Sequence, residues 1–305
     1  MPEKMLFIFN PHAGKSEISK ELLEIIDIFT KGGYNVVAHP TQAPMDAFET
    51  VRKYGAEYKL IVVSGGDGTL SEAVEGLLLL PERDSINLGY IPSGSTNDFA
   101  VSLGIPKNMT DAARLIVNGE PFKCDIGSFN NKKFNYVAGF GAFTDVSYET
   151  PQETKNVFGH IAYIFEGISR LSSITPYAMK IAYDDKQIAG EFVLGMVMNS
   201  NSVAGINGGN MFRADLSDGL FELLLVKSPS SMQDFRNVIA GIMRGETQGD
   251  GFLLEKVKKV TFDTDDDIKW TLDGEFGGND KHAEISVMEG AVNMIAGTAS
   301  AQAKE

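Results

Sequence analysis

Leu60-Ile-Val-Val-Ser-Gly-Gly-Asp-Gly-Thr-Leu-Ser-Glu-Ala-Val-Glu-Gly-Leu-Leu78 runs through a strand, a loop and a helix without a break. Four apolar, mostly β-branched residues, Leu60 to Val63, read as a short strand buried on both faces. Leu70, Ala73, Val74, Leu77 and Leu78 then fall on one face of a helix. Thr69 and Glu72 have the spacing of a capping box, which predicts a helix start at Thr69. Between strand and helix lie Gly65, Gly66, Asp67 and Gly68. Glycines there allow positive φ and let a bulky anion approach the backbone closely. The free N–H groups and the dipole of the helix start favour phosphate. A carboxylate in such a loop repels an anion unless a cation neutralises it or it has a protonic task. Asp67 is therefore either a magnesium partner or a base for an attacking hydroxyl. A plain glycine turn with an exposed Asp is the bland alternative for this segment alone.

Working outward, residues 4–9 read as a buried strand, and Asn10-Pro-His-Ala-Gly-Lys-Ser-Glu17 as the turn after it. A helix follows with Ile18, Leu22, Ile25, Ile26 and Phe29 inward, closed by Gly32-Gly33. Tyr34 to His39 is a second strand and Asp46 to Tyr54 a helix. Ile86 to Ile91 is another strand, followed by Pro92-Ser-Gly-Ser-Thr-Asn-Asp-Phe-Ala100 and a short helix over Asp111 to Asn118. Strands alternating with helices at this spacing predict βαβ units in a mostly parallel sheet.

After about Pro121 the texture changes. Strands are expected at 122–126, 133–140, 177–183, 191–199, 220–227, 257–262, 268–272 and 283–287. Only two helical stretches interrupt, near 156–171 and 231–243. Runs of strands predict an antiparallel sandwich or barrel-like second domain. The expected architecture is an α/β domain over 1–123 plus about 291–305, and a β-rich sandwich domain over 124–290. Asp263-Thr-Asp-Asp-Asp267 reads as a solvated turn between two strands. Val157, Phe158, Ile161, Ile164, Phe165, Ile168 and Leu171 make an apolar helix face, either core packing or the lip of a lipid cleft.

Composition narrows the function. The 305 residues carry a net charge of −14 and a pI near 4.8, which argues against a nucleic-acid binder. The same balance offers no strong attraction to anionic lipid surfaces. One cysteine, Cys124, excludes an intrachain disulfide framework and suits a reducing compartment. No signal-peptide pattern and no apolar run near ~18 residues is present. The expectation is a cytoplasmic protein whose membrane contact, if any, is peripheral at the inner face. The four histidines, His12, His39, His160 and His282, show no metal spacing.

Two further turns resemble the first in chemistry. Gly14-Lys15-Ser16 lacks the earlier glycine of a Walker A loop, since Phe9 stands five places before Gly14. The tight Asn10-Pro11 turn still delivers backbone N–H groups, with Lys15 nearby, and suits a nucleotide. In the turn after Ile91, the hydroxyls of Ser93, Ser95 and Thr96 and the Asn97 amide can hold phosphate oxygens, and Asp98 can share a cation with Asp67. Ligands of open α/β sheets bind beyond the carboxyl ends of the strands, where all three turns are expected.

Asn10-Pro-His-Ala-Gly14, Gly65-Gly-Asp-Gly-Thr69 and Pro92 to Ala100, in this order, resemble the diacylglycerol kinase catalytic-domain family, which includes bacterial lipid kinases and sphingosine kinases. Asp215-Leu-Ser-Asp218-Gly219-Leu220 and Leu272-Asp273-Gly274-Glu275 continue the resemblance over nearly the whole chain. The Gly-Gly-Asp-Gly-Thr element alone is also similar to the loop of NAD kinases and some phosphofructokinases. The resemblance implies an ATP site lined by Asn10, Gly14, Thr41, Gly65 to Thr69, Glu72 and Ser95. It implies an acidic network of Asp67, Asp98, Asp125 and Glu275 around Mg²⁺. The general base is expected at Glu275, with Asp67 and Asp273 in support and Asp67 as rival. Asp215, Asp218 and the Leu220 carbonyl match a second, structural Mg²⁺ site. Two departures, Ser95 for a usual threonine and Ala13 for a common serine, do not argue against activity. The implied reaction is γ-phosphate transfer from ATP to a hydroxyl of diacylglycerol or a related lipid. A NAD kinase-like phosphotransferase and a non-catalytic lipid or nucleotide binder are the rivals. A homodimer is possible; the acceptor lipid is not legible.

Overall fold

In the computed structural model, the described residues are 2–14, 16, 18–141, 175–200, 202–203, 206–207, 214–244 and 246–297. The expected helix near 156–171, with its apolar face, lies outside them. The chain divides into two units, residues 1–126 with 289–305 and residues 127–288.

In the first unit four parallel strands lie side by side, and Asn293 and Met294 pair parallel with Asn87 and Leu88 of the last of them. The four are β1 (Glu3–Phe9), β2 (Tyr34–Pro40), β3 (Leu60–Gly65) and β4 (Asn87–Pro92), in the order β2-β1-β3-β4. All six residues of β3 are buried, as the uninterrupted apolar run requires of a central parallel strand. Edge strand β2 alternates instead between half-buried and exposed positions. Helices α1 (Ile18–Lys31), α2 (Asp46–Tyr54), α3 (Asp67–Leu78), α4 (Asp98–Ser102) and α5 (Met109–Asn118) complete the alternation. Helix α1 packs with α5, and α2 with α3. Each fully buried Leu, Ile or Phe on these faces contributes about 1.5–3 kcal/mol.

The register matters more than the order. Phe9 stands opposite Pro40 and Ser64, and Gly65 opposite Pro92, so the four strands end at one level. The chain leaves β1 toward β2 on one side and returns to β3 on the other. The reversal therefore falls between β1 and β3, the position where open α/β sheets bind ligands.

The second unit contains β6 (Lys132–Phe134), β7 (Val137–Gly141), β8 (Tyr177–Tyr183), β9 (Lys186–Met198), β10 (Ser202–Val203) and β11 (Ile206–Asn207). It continues with β12 (Phe221–Lys227), α6 (Met232–Met243), β13 (Gln248–Gly249), β14 (Phe252–Val257) and β15 (Lys259–Leu272). Strands β5 (Pro121–Phe129) and β16 (Glu275–Ile295) each contain a boundary between the units.

Of the two expectations for this unit, the sandwich is corrected and the barrel-like alternative holds. Strand β7 pairs with β9, β9 with β8, β8 with β15, and β15 with β7, every pair antiparallel, so four strands close a ring. Aromatic rings fill the core of this unit. Trp270 lies 5.0 Å from Phe140, 5.0 Å from Phe129 and 5.1 Å from Phe262, centroid to centroid. Closure removes sheet edges that a two-layer sandwich leaves exposed. Several boundaries differ as well. The expected strand 133–140 is two, split at Asn135 and Tyr136, and all of β14 but Val257 lies where the sequence predicts no strand. Asp263 to Asp267 is no turn: it lies inside β15, where the register against β16 shifts between Asp263 and Ile268. A bulge lets the acidic side chains reach water while the strand continues. Among the described residues, no helix is long and apolar enough to cross a membrane.

Candidate active site

Three turns of the first unit interlock. The Asn10 N–H donates to the Ser64 carbonyl at 2.8 Å, joining the first turn to β3. The Asn10 side-chain oxygen accepts from the His12 N–H at 2.9 Å, and its amide donates to Thr69 Oγ1 at 3.4 Å. Gly14 has φ +55°, and a Cβ there would stand 2.5 Å from the Ser93 carbonyl oxygen. The first turn thus packs on the third through a position that tolerates only glycine.

The second and third turns are closer still. The Gly65 carbonyl accepts from the Ser93 N–H at 2.9 Å and the Gly94 N–H at 3.1 Å. A Cβ on Gly94 would meet Gly66 Cα at 2.5 Å and Asn97 Oδ1 at 2.7 Å. Asn97 sits at φ +54°; its side-chain oxygen accepts from the Gly94 N–H at 2.9 Å and its amide donates to the Gly94 carbonyl at 2.8 Å. That lock places Asp98, whose N–H donates to Asp67 Oδ2 at 3.3 Å. Asp67 and the buried Asp98 are thereby neighbours.

Helix α3 corrects the predicted start. It begins at Asp67, two residues early, with Gly66 as the flanking residue in extended conformation and no side-chain cap. Gly68 and Thr69 belong to its first turn, so their amides stand at the positive helix end, where a phosphate is favoured. Glu72 is not the partner of Thr69. Its two oxygens accept from the Met45 N–H at 2.8 Å and the Ala47 N–H at 3.2 Å, capping the neighbouring α2. Thr41 donates its N–H to the Phe9 carbonyl at 2.9 Å and so lies at the same sheet edge. Pro11 and the exposed Ser95 lie in the turns as expected; Lys15 lies outside the described residues.

Tyr90 is the residue sequence reasoning missed. Its hydroxyl lies 3.2 Å from the Gly65 carbonyl and 3.2 Å from Asn97 Oδ1. Burial, with the neighbouring Asp67 and Asp98 carboxylates, holds its phenol well above the ordinary value. The phenol is thus a fixed neutral group beside two acidic ones. Asp125, also in this unit, is fully buried and accepts from the Gly290 N–H at 2.7 Å.

In the second unit, Asp273 is buried and carries φ +49°, followed by Gly274 at φ +83° and the exposed Glu275. Asp215 accepts from the N–H and the hydroxyl of Ser217, both at 3.0 Å. Asp218 accepts from the Leu220 N–H at 3.0 Å and pairs with the Lys256 ammonium at 2.5 Å. Burial pushes the nearby Glu222 carboxyl up to about 7, against the pull of Lys256. Among the described residues, no three His, Cys, Asp or Glu side chains converge to hold a metal ion.

Residues 4–129 match the diacylglycerol kinase catalytic domain. A diacylglycerol kinase of Bacillus subtilis (strain 168) is 35% identical over 274 residues, covering 89% of each chain. The chain belongs to the diacylglycerol kinase family. A second family relative, the diacylglycerol kinase of Staphylococcus aureus (strain MRSA252), is 34% identical over 91% of this chain and 88% of its own. A crystal structure of a diacylglycerol kinase from Bacillus anthracis str. Sterne superposes with a TM-score of 0.74 at 25% identity, covering 98% of each chain. Another crystal structure from that organism reaches 0.80 at 27% identity, over 97% of this chain and 98% of its own. Both family structures span the whole two-unit fold.

Proposed function

We propose that this protein is an ATP- and Mg²⁺-dependent lipid kinase that transfers the γ-phosphate to a hydroxyl of diacylglycerol or a related lipid. The reading is supported above all by the approach of Asp67 to Asp98 where the glycine turns of β3 and β4 interlock. Phosphoryl transfer needs amides and cations around the phosphates and a proton acceptor for the incoming alcohol. The uncapped start of α3 provides the amides. Gly65 to Thr69, Asn10, Gly14, Thr41, Ser95 and Asn97 are assigned to the nucleotide, as in a phosphofructokinase-like α/β domain.

The donor chemistry fits magnesium. Asp67 and Asp98 supply two carboxylates, Asp125 a third assigned to the same network, and Mg²⁺ takes its remaining ligands from phosphate and water. Bound there, the ion supplies charge neutralisation at the transferring phosphate. Asp215, Asp218 and the Leu220 carbonyl are assigned to a second, structural ion; all are hard oxygen donors. Glu275 is assigned as base because it is exposed and accessible, whereas Asp273 is buried. The β-rich unit is assigned to the lipid. The protein works as a cytoplasmic enzyme touching the membrane peripherally.

The test is isotope transfer from ATP to a panel of lipids in mixed micelles, run beside NAD as acceptor. Label in a lipid is expected, with Asp67→Ala and Glu275→Ala each lowering turnover about 100- to 10,000-fold while the circular dichroism spectrum stays native. Label in NAD alone selects the soluble-acceptor phosphotransferase, and ATP binding without transfer selects a non-catalytic binder.

A further inference from the structure

The Leu272-Asp273-Gly274-Glu275 segment is a two-residue hairpin. Leu272 pairs with Glu275, and both connecting residues have positive φ, the signature of a type I′ turn. Such a turn accepts Asn-Gly as readily as Asp-Gly, so turn geometry does not explain a carboxylate at 273. The side chain does. Asp273 Oδ2 accepts from the Asn135 N–H at 2.6 Å, and Oδ1 from the Tyr136 and Val137 N–H groups at 2.9 and 3.1 Å. The Asp273 N–H returns a bond to the Val137 carbonyl at 2.9 Å.

Three backbone donors converge on one buried carboxylate from the break between β6 and β7. An ionised carboxylate is acceptor-only and can meet all three, whereas an Asn amide would aim a donor at donors. Those three bonds engage both oxygens of the carboxylate. We infer that Asp273 is a positioning residue: it rivets the hairpin that carries Glu275 to the 135–137 backbone and sets where the Glu275 carboxylate stands. The inference rests on reading Glu275 as the base of the proposed lipid kinase. A displaced base costs rate without changing nucleotide affinity, and a misplacement of about 1 Å is enough for about 100-fold.

The experiment compares the wild-type chain, Asp273→Asn, Glu275→Gln and the double variant in the ATP-to-lipid assay. Asp273→Asn keeps the turn and is expected to lower kcat about 10- to 100-fold with the KM for ATP within about twofold. In the Glu275→Gln background, the same change is expected to cost nothing further, because there is no base left to place. Hydrogen exchange at the Asn135, Tyr136 and Val137 amides is expected to be slow in the wild type and fast in Asp273→Asn, with β3 unchanged. If Asp273→Asn does not fold, Asp273→Gly keeps the turn and admits water to the three amides. Wild-type kcat in the variant overturns the inference, as does a double variant losing the product of both single losses. Free-peptide exchange at 135–137 in the wild type overturns it too. If the wild type labels no lipid, the kinase reading fails instead, and the exchange data still report on the rivet.

Discussion

Tyr90 carries a consequence that one residue can test. Its phenol is buried beside Asp67 and Asp98, and burial first, then those charges, hold it neutral well above pH 10. In the unfolded chain it ionises near 10. The folded state therefore keeps a proton that the unfolded state releases, and stability falls as pH rises through 10. Urea unfolding of the wild type and of Tyr90→Phe should differ by a constant amount below about pH 9. Above about pH 10 the wild type should lose about 1.4 kcal/mol per pH unit relative to the variant. A difference that stays flat to pH 11 would show that the folded chain does not hold the phenol neutral, and would remove its buried place beside the carboxylates. Nothing in the sequence marks Tyr90 out, because an aromatic in a buried strand reads as core. Asp67 was legible for the opposite reason: a charge among glycines has no packing role.

Among elements, Glu72 shows how a local pattern misleads. Its spacing from Thr69 fits a capping box, yet α3 starts at Asp67, and the Glu72 carboxylate reaches α2 instead. Met45, the residue flanking α2, has φ +69° and caps nothing with its own side chain. Glu72→Ala should therefore cost about 1 kcal/mol, the scale of losing a helix cap. Amide exchange should quicken at Met45 and Ala47 while the α3 amides stay protected. Quickened exchange along α3 itself would restore the capping-box reading. The partners lie 25 and 27 residues apart, beyond any helical period. Where periodicity alone decides, as in α2 over Asp46–Tyr54 and β8 over Tyr177–Tyr183, the sequence predicts the element to the residue.

Across the whole molecule, the test is metal-linked stability. Asp215 and Asp218 are pinned by Ser217 and Leu220 in the turn before β12, with Lys256 against Asp218. An ion that binds only the folded chain adds about 2.7 kcal/mol at a hundredfold excess over its dissociation constant. Magnesium without nucleotide should raise the thermal midpoint of the wild type clearly more than that of Asp215→Ala. Equal midpoints with and without the ion in the wild type would remove the structural site from this turn. The ring β7-β9-β8-β15 belongs to this scale too, since it closes only where β15 meets β7, with Trp270 paired to Phe140, 130 residues earlier in the chain.

By itself, the sequence determined the alternation of strand and helix in the first unit, the run of strands after Pro121, and the turns that carry acidic and glycine residues. Those features are local: apolar period, permitted φ, and charge where packing has no use for it. Only the tertiary structure decided that the strands of the first sheet end level, that Gly94 rests on Gly66, that Tyr90 joins Asp67 and Asp98, and that Asp273 holds three distant amides. Each of these is set by register and burial, and even Tyr90 and Asp98, eight residues apart in sequence, meet Asp67 only because β3 and β4 lie side by side.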